Sequence, residues 1–262
     1  MYAFGNLRDR CVWNGQEDMM QLIQAILENY VFPGLDSANP LLQARACWVY
    51  GRYGRFEFTN PDHLLAAIDK IVKHLYAEHT AVKVEAAVAI SELLVHEAAV
   101  GFIRPGLGDV LRIFLKIMDE IDFEDLVKAL RTIVEVYGDE IAPYAVSLCR
   151  KLSQAYVRLI NAKGKWDDED AEAGLTADGL MTAIRRVLNS ISGKFEELYP
   201  QLEEILEEAI YMSLSEAGSS STDEGLTCIA ELLYNQKAVT PRMWGIYGHL
   251  INLYVQDKGV LD

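Results

Sequence analysis

The sequence predicts an all-α fold in which pairs of antiparallel helices stack along the chain. Three observations predict it: apolar residues recur with helical spacing, the pattern repeats about every forty residues, and strand signals are nearly absent. With 262 residues, of which 51% are apolar and 24% charged, the chain can bury a substantial core. Each helix would bury one apolar stripe against its neighbours, as in a helical solenoid.

One apolar template occurs five times along the chain. In its first copy Leu42, Ala46, Val49, Tyr50 and Tyr53 share one face of a helix. Later copies follow after 40, 44, 54 and 46 residues, and we expect all of these residues to be buried. The later copies are Val82, Ala86, Ala89, Ile90 and Leu93; Leu126, Leu130, Ile133, Val134 and Tyr137; Leu180, Ile184, Val187, Leu188 and Ile191; and Leu226, Ala230, Leu233 and Tyr234.

A second set of apolar stripes lies between these copies, ending with Trp244, Tyr247, Ile251 and Tyr254. Helix pairs of about forty residues are typical of HEAT and armadillo repeats. The sequence therefore predicts an α-solenoid of HEAT-like helical pairs, an armadillo-type α-α superhelix, with about five and a half repeats in residues 16–262. Residues 1–15 are predicted to be the remnant inner helix of a truncated repeat, so we expect a fragment of a longer solenoid.

Capping residues agree with this register. Asn39-Pro40, Asn60-Pro61 and Thr240-Pro241 each place a side-chain acceptor before a proline at the first helical position. Ser221 and Glu224 have the spacing of a capping box. These signals predict helices that begin at residues 40, 61, 222 and 241.

An acidic insertion is predicted at residues 161–177, NAKGKWDDEDAEAGLTA, because the spacing of 54 residues there is about ten too long. It is not an EF-hand, since Ala173 and Gly179 occupy the places that need Gly and Glu. Two interpretations stay open: a solvated linker, or an electrostatic contact for a basic partner. The acidic residues are Asp167, Asp168, Glu169, Asp170 and Glu172.

The formal charge of -15, from 24 basic and 39 acidic residues, favours a basic protein partner. Nucleic acid and anionic membranes are unfavourable partners, because a nucleic-acid binder neutralises phosphates with surplus Lys and Arg. The N-terminus lacks the pattern of a signal peptide, and the uncharged run at 243–256 is too short to span a bilayer. We therefore expect a soluble cytosolic or nuclear protein.

The stretch ARACWVYGRYGRFEF, residues 44–58, allows two interpretations. Its aromatic and arginine residues could form a nucleic-acid-binding segment, with aromatics stacked on bases. Alternatively it is one face of a buried helix, which the template favours because it gives core places to Tyr50 and Tyr53. Gly51 and Gly54 are then costly helix residues, each by roughly 1 kcal/mol relative to Ala.

No catalytic, metal or cofactor motif is present. His74, Glu78 and His79 read HLYAEH, but five positions along a helix turn the two imidazoles about 140° apart, so they share no face. The four cysteines contain no CxxC pair, and there is no GxSxG motif, P-loop or dinucleotide-binding glycine turn. We expect neither an enzyme nor a cofactor.

Four segments resemble a known family: NYVFPGL at 29–35, ARACWV at 44–49, KVEAAVAI at 83–90 and PRMW at 241–244. They look like the middle of the importin-7 and importin-8 receptors, a branch of the importin-β (karyopherin-β) superfamily. The resemblance implies a nuclear transport receptor that shuttles between cytoplasm and nucleus. It would wrap basic cargo, such as ribosomal proteins or histones, and the full-length receptor would release cargo to the GTP-bound GTPase Ran. The alternative is a HEAT scaffold for protein assembly without a transport role.

The resemblance also implies where partners would bind, because the second helix of each pair faces the concave surface in this superfamily. Polar residues of these helices, together with the acidic insertion, are the candidate partner-binding residues. On the second helices the candidates are Arg45, Arg52, Lys128, Arg131, Glu135, Arg185 and Asn189.

Overall fold

The computed structural model describes residues 1–7, 17–121, 124–163 and 171–256. Within these ranges the chain is helical and contains no strand, which confirms the all-α prediction. The helices are α1 Tyr2–Leu7, α2 Glu17–Ile26, α3 Phe32–Leu35, α4 Pro40–Arg52, α5 Pro61–His74, α6 Thr80–Leu93, α7 Glu97–Ile103, α8 Leu107–Glu120, α9 Glu124–Tyr137, α10 Ala145–Lys163, α11 Ala171–Ile191, α12 Tyr199–Ser213, α13 Thr222–Gln236 and α14 Pro241–Gln256.

The chain divides into two compact units, Met1–Val136 and Tyr137–Asp262. In the first unit α4 packs along α6, α5 packs on α6, and both α1 and α3 contact α4. In the second unit α10 packs on α11 and α12, while α13 packs on both α11 and α12. The second helices of the predicted pairs are therefore α4, α6 and α9 in one unit and α11 and α13 in the other.

Gly51 and Gly54 let α4 approach α6 closely. A Cβ atom on Gly51 would lie 3.1 Å from the Ala89 Cα atom, and one on Gly54 would lie 2.6 Å from the Glu92 carbonyl oxygen. Glycine removes the side chain that would otherwise hold the helices apart. The stretch at residues 44–58 is thus a packed helix and its C-terminal turn, as the template predicts.

The template residues are buried in the second, third and fourth copies, which α6, α9 and α11 carry. In the first copy, on α4, Ala46, Val49, Tyr50 and Tyr53 are buried, but the prediction for Leu42 is wrong, since that side chain is 45% exposed.

The fifth copy is also predicted wrongly. On α13 Tyr234 is 77% exposed and Ala230 is exposed, while the buried residues are Gly225, Cys228, Leu232 and Asn235. The buried residues lie on nearly the opposite side of α13 from the template residues, because at 100° per residue the centres of the two faces are about 165° apart. Packing explains this difference, because a Cβ atom on Gly225 would lie 2.0 Å from the Ser213 Oγ atom of α12. Gly225 and Asn235 are buried, but a template that considers only apolar side chains does not identify them.

The predicted caps are confirmed at three helices and wrong at one. The Asn39 and Asn60 side chains accept hydrogen bonds from the amides of Leu41 and His63, and Thr240 Oγ1 accepts one from the Met243 amide at 3.2 Å. Ser221 makes no such bond. It is buried, where its hydroxyl donates to the Gly218 carbonyl oxygen at 2.9 Å and lies 2.6 Å from the Tyr156 hydroxyl.

The predicted insertion is bordered by helices that reach into it. Helix α10 continues to Lys163, and α11 begins at Ala171, so both described ends of the segment 161–177 are helical. Residues 164–170 lie outside the described part of the chain.

Helix α14 exposes most of its predicted stripe. Met243 and Ile246 are buried, but Trp244 is 60% exposed, and Tyr247, Ile251 and Tyr254 are also exposed. It therefore packs against the rest of the second unit with a different face from the one that the apolar spacing indicates.

Replacing Gly54 by Ala should destabilise the first unit by about 1–3 kcal/mol, because the new methyl group would meet the backbone of Glu92. The matched control is Gly248→Ala in α14, where a Cβ atom meets nothing within 4 Å. The control should be neutral or stabilise by up to about 1 kcal/mol. Urea denaturation measures both, and equal midpoints for the two variants would contradict the close α4–α6 contact.

Candidate partner-binding surface

Arg45 lies on α4, where two aromatic rings fix its position. Its guanidinium carbon is 5.2 Å from the centre of the Tyr2 ring and 4.7 Å from that of Trp48. The two rings are nearly parallel, with centroids 6.0 Å apart. Such cation-π contacts contribute roughly 0.5–1 kcal/mol each at half-exposed sites, so Arg45 is a positioned side chain rather than a free one.

A groove of about 370 Å³ opens between α4, α6 and α9 of the first unit, and we call it the acidic groove. Trp48, Gly51, Val88 and Ala89 provide its apolar lining. Its charged lining is three carboxylates and the Arg52 guanidinium, which leaves a net charge of -2. The carboxylates are those of Glu85, Glu92 and Asp125.

Glu85 is the most buried of these carboxylates. Burial raises the pKa of the Glu85 carboxyl above its ordinary value, the nearby Arg45 guanidinium lowers that pKa, and the Asp125 carboxylate raises it further. The Arg45 guanidinium thus offsets only part of the increase in the Glu85 pKa that burial causes. Glu92 and Asp125 are exposed, and neither side-chain carboxylate forms a hydrogen bond or ion pair with the described residues. The groove therefore holds negative charge that its own residues do not neutralise.

The candidate residues of α9 lie beside one another on the helix. Arg131 and Glu135 form an i,i+4 pair with 3.8 Å between Arg131 Nε and Glu135 Oε1. Lys128, one turn earlier, is half-buried. A pair at this distance on a half-exposed helix contributes about 0.3–0.5 kcal/mol, which leaves both groups available for a partner.

In the second unit a polar ladder joins α11 to α13. Arg185 Nε lies 2.6 Å from Glu224 Oε2, and the Ser192 hydroxyl donates to Asn235 Oδ1 at 2.9 Å. The Asn189 amide nitrogen, in the orientation that satisfies its neighbours, lies 3.2 Å from both carboxylate oxygens of Glu231. Arg185 and Asn189, expected to contact a partner, therefore also link two helices of their own unit.

The acidic insertion contributes little to this picture. Asp167, Asp168, Glu169 and Asp170 lie outside the described residues. Glu172 belongs to the first turn of α11, and its side chain is outside the described part as well. Its role in partner contact stays a prediction.

Sequence reasoning missed three residues at these surfaces: Trp48, Asp125 and Glu224. A signal for Trp48 was present, because a large aromatic residue lies off the apolar template. Asp125 precedes the template residue Leu126, but only the packing of three helices shows that it faces the groove. Glu224 was interpreted as part of a capping box, whereas it binds Arg185.

Three cysteines are buried in the core, and His74 contacts the backbone. Burial raises the pKa of the Cys47 and Cys228 thiols to about 12, so both stay protonated at neutral pH and act as small core side chains. His74 Nε2 lies 2.8 Å from the Leu35 carbonyl oxygen. No three metal-binding side chains cluster within the described ranges.

Comparison with known proteins shows where this arrangement belongs. The chain is 30% identical over 252 residues to Importin-8 of Danio rerio, 29% identical over 235 residues to a probable importin-7 homolog of Dictyostelium discoideum, and 29% identical over 247 residues to the importin beta-like SAD2 homolog of Arabidopsis thaliana. These alignments cover 92%, 88% and 94% of the chain. The chain belongs to the importin-7 and importin-8 branch of the importin-β superfamily. No family model and no solved structure matches it.

The chain spans only 22–24% of the length of the three importins named above. Its all-α HEAT-type architecture agrees with the assignment. None of the helices in the described ranges combines the length and apolar character needed to cross a bilayer.

Replacing Glu85 by Gln should stabilise the first unit at neutral pH. Because its folded-state pKa lies above the unfolded one, ionised Glu85 costs stability at pH values above the folded pKa. Below about pH 4.5, its ordinary pKa, both states are protonated and the gain should vanish. Unfolding midpoints across pH measure this gain. Glu78→Gln, an exposed carboxylate in the same unit, is the control. A gain that persists unchanged at low pH would contradict the desolvation argument.

Proposed function

We propose that the chain is a segment of a nuclear import receptor and that it binds basic protein cargo. The observation that carries this proposal is its similarity to importins over 88–94% of its length. A net charge of -15 supports a basic cargo, such as a ribosomal protein or a histone. The complete receptor would shuttle between cytoplasm and nucleus, and the GTP-bound form of Ran would release its cargo.

The second helices supply the groups for such binding. In the first unit the acidic groove presents carboxylates between α4, α6 and α9. Helix α9 also carries Lys128, Arg131 and Glu135. In the second unit Arg185 and Asn189 are joined to neighbouring carboxylates. Cargo cations would therefore find the more open negative charge in the first unit.

The function is tested by binding a labelled core histone and a labelled acidic protein of similar size to the purified chain. Fluorescence anisotropy should show binding of the histone alone, weakening as salt rises. The same measurement is repeated with a labelled ribosomal protein. If neither the histone nor the ribosomal protein binds at low salt, the cargo proposal for this segment is refuted.

Ran dependence separates a receptor from a scaffold. In the full-length protein, Ran loaded with a non-hydrolysable GTP analogue should release the histone, whereas Ran-GDP should not. A cargo complex that is insensitive to both forms of Ran would favour a HEAT scaffold that assembles proteins without a transport role.

The acidic insertion should accelerate cargo association. Because close carboxylates steer a basic ligand through their electrostatic potential, replacing them by Ser or Asn should lower the association rate at low salt. The effect should fade above roughly 0.15 M salt, where screening acts within about 8 Å, and thermal stability should hardly change. The replaced residues are Asp167, Asp168, Glu169, Asp170 and Glu172.

A charge-matched control removes five exposed carboxylates elsewhere on the chain. If both variants slow association equally, net charge alone is responsible, and if neither does, the insertion is a solvated linker. The control residues are Glu57, Glu78, Glu197, Glu208 and Glu216.

A further inference from the structure

Helix α10, the first helix of a pair in the second unit, is a basic element of an acidic chain. Its sequence, AVSLCRKLSQAYVRLINAK, contains four Lys or Arg and no Asp or Glu, whereas the whole chain has a net charge of -15. Arg150, Gln154 and Arg158 are exposed and lie at four-residue intervals, so they form one row along the helix. This row carries a local positive charge that a basic cargo does not use.

A groove of about 530 Å³ opens between this row and α12, and we call it the basic groove. Its volume is within the range of about 300–1,000 Å³ that ligand sites occupy. Val157 of α10 and Ile205 of α12 give the groove half-buried apolar surface. The buried Ser153 hydroxyl donates to the Ile205 carbonyl oxygen at 3.1 Å and so links the two helices that form the groove.

The charged groups of the basic groove are not paired across it. The Arg150 guanidinium forms no hydrogen bond or ion pair with the described residues, and neither does the Glu208 carboxylate, which lines the groove from α12. Arg158 Nε donates to the Gln154 carbonyl oxygen at 3.3 Å, which holds the Arg158 side chain along the row. Two guanidinium groups and one carboxylate leave the lining with a net charge of +1. An anionic group can therefore reach Arg150 without displacing another residue.

We propose that the basic groove binds an extended acidic segment of a protein partner, in which two acidic side chains flank an apolar one at alternate positions. Arg150 and Arg158 are eight positions apart, which is about 12 Å along a helix. In an extended segment, residues i and i+4 lie about 13 Å apart and point to the same face as residue i+2. Carboxylates at i and i+4 therefore reach the two guanidinium groups, while an apolar side chain at i+2 packs on Val157 and Ile205.

The polar residue in the middle of the row suits such a segment. The exposed Gln154 side-chain amide lies between the two arginines and offers both a donor and an acceptor to an extended backbone. A guanidinium can also bind a carboxylate through two parallel hydrogen bonds. The basic groove lies in the second unit and takes the opposite charge from the acidic groove, so this inference goes beyond the proposed function and does not rest on it.

Glu208 provides a test of opposite sign. Two other carboxylates of α12 are paired, because Arg242 lies 3.7 Å from Glu204 Oε1 and 3.1 Å from Glu207 Oε2. The Glu208 carboxylate stays open in the groove and repels an acidic ligand. Removing its charge should therefore strengthen the binding that removal of an arginine weakens.

The test measures binding of two labelled peptides to the full chain by fluorescence anisotropy at low salt. The matching peptide has Glu at i and i+4 with Leu at i+2, and the shifted peptide has the same composition with its two Glu residues three positions apart, on opposite faces of an extended strand. The chain variants are Arg150→Gln and Glu208→Gln. The matched control is Arg186→Gln, which removes an exposed arginine of α11 outside the groove. Circular dichroism verifies that each variant is folded.

Arg150→Gln should weaken binding of the matching peptide by about tenfold, because a hydrogen bond between charged groups is lost. Glu208→Gln should strengthen it by about threefold, as expected for an exposed charge pair. The control should leave it nearly unchanged. The shifted peptide should bind more weakly than the matching one and respond little to Arg150→Gln.

Equal affinity for the two peptides, or equal losses in Arg150→Gln and Arg186→Gln, would overturn the inference, because either result would show only unspecific attraction between charges. Failure of the matching peptide to bind the wild-type chain would overturn it as well. A chain that binds this peptide but no histone or ribosomal protein would refute the proposed function and leave the basic groove supported.

Discussion

The close contact between α4 and α6 is the constraint on which the rest of the first unit depends. Gly51 and Gly54 have no side chains, so the two helices meet at Ala89 and at the backbone of Glu92. At this separation the polar residues of α6 lie beside those of α4, and with α9 they enclose the acidic groove. Gly51, which weakens α4 as an isolated helix by roughly 1 kcal/mol, thus helps to create the surface to which we assign partner binding, whereas Gly54 lies in the turn after α4 and not within the helix as the sequence indicated.

The polar side chains between neighbouring second helices are paired differently in the two units. Between α11 and α13, carboxylates and their partners neutralise one another, as in the Arg185–Glu224 pair at 2.6 Å. Between α4, α6 and α9, aromatic rings hold Arg45, and the carboxylates stay open. A ladder stabilises neighbouring helices, whereas open carboxylates beside an apolar lining favour a cationic ligand. Open carboxylates and interhelical polar contacts are therefore distributed unequally between these two groups of helices.

Much of the fold could be predicted from the sequence because helical periodicity is a local property. Three of the five template copies are fully buried, and the three Asx- or Thr-Pro caps form. The prediction fails on α13, where Gly225 and Asn235 occupy buried positions that apolar spacing does not indicate. The acidic groove was beyond sequence reasoning for a related reason, since Trp48, Glu85 and Asp125 come from three helices whose separation depends on glycine contacts.

The central claim is that the second helices of the pairs form the cargo-binding face, with the acidic groove as its main site in the first unit. Hydrogen exchange of the chain with and without a bound core histone tests it most directly. The account predicts slower exchange on α4, α6 and α9, with little change on α5, α8 and α12. Protection confined to the first helices of the pairs, with none around Glu85 and Glu92, would contradict it.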